Sequence, residues 1–167
     1  LLALVGSLAA YGAWYDEYGD AVELATAQVS ITIIFLTIVG ATTLFHFRRR
    51  IAPQTFDYAL IGLNAAYYFA ISYGLMWDEL RPWMGGFTLL LAAFYAGMAY
   101  MAFLRNRTQP DLGFMLSGIA LVFLTIAAPV QFGGPWVSIA WSVQAAVLVW
   151  LALRLEIWQL RAAAAAV

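Results

Sequence analysis

The chain has 167 residues, 65% hydrophobic and only 10% charged, with eight Lys plus Arg against nine Asp plus Glu and a formal net charge of −1; its mean hydropathy is +0.84. So few charges cannot coat a water-soluble body of this size, and they offer no basic face to a phosphate backbone, which excludes a soluble enzyme, a nucleic-acid binder and a disordered chain. With no Cys and one His, disulfides, thiolate catalysis, Cys-type zinc sites, multi-His metal sites and bis-His haem are excluded too.

In chain order, Leu1 to Ala13 are apolar but too short to span at ~1.5 Å per helical residue, and they lack the basic start of a signal peptide. They read as the end of a truncated helix, so the chain is expected to be a fragment of a longer multi-pass protein. Asp16-Glu17-Tyr18-Gly19-Asp20, with Glu23, reads as a solvated acidic loop without the spacing of an EF-hand. Complete spans are expected at Leu24–Phe47, Phe56–Trp77, Trp83–Leu104, Leu112–Val130 and Trp136–Leu153, each near the ~20 residues a bilayer core requires. The expectation is an all-α, polytopic transmembrane bundle of about six spans. It forms one domain over residues 1–167, with residues 154–167 as a cytoplasmic helical tail.

Charge alternates between the connections. Arg48, Arg49 and Arg50, then Arg105 and Arg107, then Arg154 and Arg161 fall on one side, and the acidic loop, Asp78, Glu79 and the lone Arg81 on the other. Because Arg in short loops sets orientation, Arg48, Arg49, Arg50, Arg105 and Arg107 are topology anchors and their side is expected to be cytoplasmic, with the C-terminus. Trp14, Trp77, Trp83 and Trp136 fall at the opposite ends of the spans, where rings favour the headgroup level.

No ionisable residue sits at mid-depth, where a charge costs at least ~2.5 kcal/mol, and there is no Lys for a Schiff base. Two neutral amides, Asn64 and Gln144, lie near the bilayer centre. Each needs a partner where there is no water, and either helix-to-helix bonding or ligand recognition would supply one. Gln28 is nearer the outer surface and less informative. His46 reads as a headgroup contact, with axial ligation of a haem or chlorin the chemical alternative. Tyr67, Tyr68, Tyr95 and Tyr100 read as packing and interface residues rather than proton donors. The four-residue spacings Ala92/Ala96, Ala93/Gly97 and Gly113/Ser117 permit close helix contact. Pro129 is expected to end the fifth span and Pro135 to start the sixth. The short turn between them implies antiparallel packing along the whole length of both helices, with Gln144 opposite Gly118 to Val122.

Four segments carry a family resemblance: Phe56-Asp-Tyr-Ala-Leu-Ile-Gly-Leu-Asn-Ala-Ala-Tyr-Tyr-Phe69, Leu89-Leu-Leu-Ala-Ala-Phe-Tyr95, Leu121-Val-Phe-Leu-Thr-Ile-Ala-Ala-Pro-Val-Gln131 and Trp136-Val-Ser-Ile-Ala-Trp141. They resemble the bacterial multi-pass membrane family catalogued as domain of unknown function 2339, over about Phe56 to Leu155. The most specific piece is the hairpin with Pro129, Gln131, Trp136 and Trp141. Where that pattern has Glu three residues after the second Trp, this chain has Gln144. The resemblance implies a long chain of tandem spans and no particular reaction.

The functional expectation is a non-enzymatic module of the bacterial inner membrane: a scaffold, a complex subunit or a passage for an apolar or lipid-linked envelope molecule. Asn64, Gln144 and Trp141 are its ligand-binding or bundle-core candidates. The alternative is an integral membrane enzyme acting on a lipid or polyprenyl-linked substrate at the outer face, which requires the acidic loop and the Asp78–Arg81 turn to converge. No cofactor beyond a bound lipid is expected. The expected partners are membrane lipids and other membrane protein chains, not nucleic acid.

Overall fold

Long apolar runs that cannot hydrogen-bond to water must satisfy their backbone internally, and the described residues do so with helices. The computed structural model describes residues 2–18, 23–44, 55–105, 110–132 and 135–155. They form six α-helices: α1 (Leu2–Tyr18), α2 (Leu24–Val39), α3 (Thr55–Met76), α4 (Met84–Arg105), α5 (Asp111–Gln131) and α6 (Pro135–Leu155). Four apolar segments, Leu24–Thr43, Phe56–Met76, Arg81–Arg105 and Asp111–Gln131, are long enough to cross a membrane; in α6 the apolar helix Pro135–Val149 is shorter. His46, Arg48, Arg49, Arg50, Arg107 and the expected tail beyond Leu155 lie outside the described residues.

Three expectations are corrected at helix ends. α1 extends to Tyr18, so Asp16 and Glu17 are exposed helical residues rather than part of a loop. The second span is not α-helical throughout: Gly40–Leu44 form a π turn. Such a turn disturbs the carbonyl ladder, and the Thr42 and Thr43 hydroxyls bond back to Ile38 and Val39 carbonyls there. Pro129 does not end α5. The helix runs on to Gln131, because a proline near the C-terminus costs only one ladder bond when another donor takes the freed carbonyl.

Helices α4 and α5 make the closest pair. Small residues let the backbones approach: Ala92, Ala99 and Ala102 on α4 and Gly113 and Ala120 on α5 are all buried. A Cβ at Gly113 would lie 2.5 Å from the Phe103 ring, so only glycine fits there. Of the predicted small-residue pairs, Ala92 and Gly113 face the helix contact, whereas Ala93, Ala96 and Gly97 are exposed. Helix α2 packs on α3, and a core shared by α2 to α5 contains Ile31, Phe35, Ile61, Leu91, Tyr95, Leu116 and Phe123. Rings dominate it: Phe35 stacks on Tyr68 at 4.2 Å and Tyr95 on Phe123 at 5.8 Å. Large apolar side chains such as Ile33, Leu63, Leu90 and Val122 point outward, the pattern expected of helices solvated by lipid.

Candidate functional site

The polar side chains of the helices divide by type. Most Ser and Thr hydroxyls turn back onto the carbonyl four residues earlier, as Ser30, Thr37, Thr88, Ser117 and Ser142 do. The four described amides, Gln28, Asn64, Gln131 and Gln144, instead all bond to another helix or its lead-in turn. A short hydroxyl reaches its own backbone; a longer amide with two polar ends reaches across.

One such cluster joins α2 to α3. Gln28 Nε2 donates to Ser72 Oγ at 2.9 Å and to Tyr68 OH at 3.3 Å, and Thr32 Oγ1 shares a hydrogen bond with Tyr68 OH at 2.9 Å. Two turns deeper, Asn64, 2% exposed, donates to the Phe35 carbonyl at 3.3 Å. Helix α1 covers this region through Tyr11 OH to the Ala27 carbonyl and Tyr67 OH to the Leu8 carbonyl. Gln28, ranked low from sequence, is therefore the centre of the larger cluster. The signal was present: Gln28 and Thr32 on α2, and Asn64, Tyr68 and Ser72 on α3, recur at four-residue spacing and so line one face of each helix. Two buried polar atoms among the described residues have no partner, Gln28 Oε1 and Tyr95 OH.

The second cluster fastens the α5/α6 hairpin. Pro129 has no N–H to give the Thr125 carbonyl four residues before it. Trp141 Nε1, on α6, donates to that carbonyl at 2.9 Å. Gln144 Nε2 donates to Thr125 Oγ1 at 2.8 Å, and this hydroxyl in turn donates to the Leu121 carbonyl. Gln144 thus meets Thr125, about one turn beyond the expected Gly118 to Val122, because a hydroxyl there offers an acceptor and the small residues offer none. At the end of α5, Gln131 Oε1 accepts from the Gly85 N–H at 2.9 Å and its Nε2 donates to the Pro82 carbonyl at 3.1 Å. The side chain thereby caps the Gly85 N–H in the first turn of α4.

Helix α6 packs on α5 less closely than α4 does. It meets α5 through Trp141 and Gln144, and Leu148 is buried, while Trp136, Ile139, Val143 and Val147 are exposed. Beside the Thr125 contact an apolar groove of about 830 Å³ opens along α4 and α5, lined by residues that include Ala93, Ala96, Gly118 and, from α6, Leu148.

Asp16, Glu17, Glu23, Asp78 and Glu79 are exposed, and among the described residues no group of three His, Cys, Asp or Glu could hold a metal ion; Asp20 lies outside the described residues. Arg81 lies over the Trp77 ring, 4.6 Å from its centroid, an interfacial cation–π pair. Comparison with protein-family models, curated proteins and solved structures finds no match.

Proposed function

We propose that the chain is a non-enzymatic module of the bacterial inner membrane, belonging to the family it resembles, that holds or passes an apolar or lipid-linked envelope molecule. The observation carrying this reading is the apolar groove beside α4 and α5. The amides support it as well, since each already donates its N–H to another helix or its lead-in turn. The Arg-bearing ends face the cytoplasm in this reading, by the loop rule. Scaffold and complex-subunit roles fit the same exposed apolar surface.

The test is to purify the membrane-extracted protein, analyse the apolar molecules that accompany it, and incubate it with total envelope lipid. A lipid or lipid-linked molecule recovered chemically unchanged is the expected result. Time-dependent conversion into a new species would replace this reading with the enzymatic one.

A further inference from the structure

We propose that the α4/α5 groove holds one acyl chain of a membrane phospholipid, whose phosphate sits at the Arg105 end. The proposal rests on the reading above and names the ligand class of the groove. Three observations select this occupant. From Leu89 to Phe103 the lining runs about 21 Å at ~1.5 Å per residue, more than half of a ~30 Å hydrocarbon core, so a chain from one leaflet fits along it. The lining carries only two hydroxyls: Ser117 donates to the Gly113 carbonyl, and Tyr100, exposed, lies one turn before Phe103 toward the Arg105 end. The groove also has a polar end. Phe103 and Phe114 mark it, and the exposed Arg105 closes α4 two residues beyond Phe103. Asp111 starts α5 at that same end, so among the described residues of α4 and α5 the headgroup end carries Arg105 and Asp111. The guanidinium supplies the fork that phosphate oxygens accept.

Gly118 makes the groove testable without damaging the fold. A Cβ there meets nothing within 4 Å, so Gly118→Leu projects into the groove rather than into a neighbour. Gly97, equally open and outside the groove lining, provides the matched control Gly97→Leu. Delipidated wild type and both variants, each checked for unchanged melting, are titrated with phosphatidylglycerol or phosphatidylethanolamine in mixed micelles and read by native mass spectrometry. Wild type and Gly97→Leu should retain one phospholipid. Gly118→Leu should retain it at least tenfold more weakly, and Arg105→Gln should weaken phosphatidylglycerol retention several-fold. Equal retention by Gly118→Leu and wild type would overturn the proposal. So would a protein dimer that Gly118→Leu abolishes, which would put a second copy in the groove. Either result leaves the recovery of an unchanged envelope molecule to be decided by its own experiment.

Discussion

Pro129 turns a backbone carbonyl of α5 into an acceptor for the neighbouring helix, and Trp141 is the side chain that uses it. Trp141→Phe leaves the Thr125 carbonyl without a donor in an apolar setting and should cost about 1–3 kcal/mol. Pro129→Ala restores the missing N–H, so the Trp141→Phe cost should shrink in that background. A double-mutant cycle of unfolding in detergent measures the difference, and additive costs would show that the indole bond and the proline are unrelated. Tyr95 presents the opposite situation. Its ring is fully buried between aromatic neighbours and its hydroxyl has no partner. Tyr95→Phe should therefore raise stability, or leave it unchanged, by up to ~1–3 kcal/mol, because only an unpaired polar group is removed. A loss of stability of similar size in thermal unfolding would mean that the hydroxyl is bonded.

Among elements, α4 and α5 are joined by shape and α6 by hydrogen bonds, so the two contacts should fail differently. Gly113→Leu drives a side chain into the Phe103 ring and should destabilise the whole bundle by about 1–3 kcal/mol, seen as a lower melting temperature. Gln144→Leu removes one interhelical bond worth ~0.6–2 kcal/mol and should loosen α6 while insertion and topology persist. Protease susceptibility confined to the region after Gln131 would report that loosening; unchanged susceptibility would mean that Gln144 does not hold α6. The helices themselves were legible to within a residue or two wherever runs of apolar residues ended in Pro, Gly or charge, as at Met76, Arg105 and Asp111. The π turn was not, since Gly40 to Leu44 carries no marker that distinguishes it from continuing α-helix. Gln144 was recognisable as an amide needing a partner, but Thr125 became recognisable only after counting four residues back from Pro129. Gln28 is legible from helical phase, through its four-residue spacing to Thr32, and not from its depth in the span.

At the scale of the whole molecule, four of the described helices have the length and apolarity to cross a bilayer, their outward faces are apolar, and the amides of α2 and α3 bond across to the neighbouring helix. Composition alone excluded a water-soluble body, because no arrangement of so few charges covers one. What composition could not indicate was which polar residues meet, since that depends on the rotation of each helix about its axis. The absence of Cys makes the bilayer arrangement directly measurable, since any single Cys introduced is the only thiol. Glu79→Cys, Leu90→Cys and Arg105→Cys place that thiol at one end of the spans, on an apolar face within α4, and at the other end. Labelled with a membrane-impermeant maleimide, Glu79→Cys should react in intact cells, Arg105→Cys only after permeabilisation, and Leu90→Cys in neither state. Labelling of Arg105→Cys from outside would reverse the orientation, and labelling of Leu90→Cys would contradict the bilayer-spanning arrangement itself.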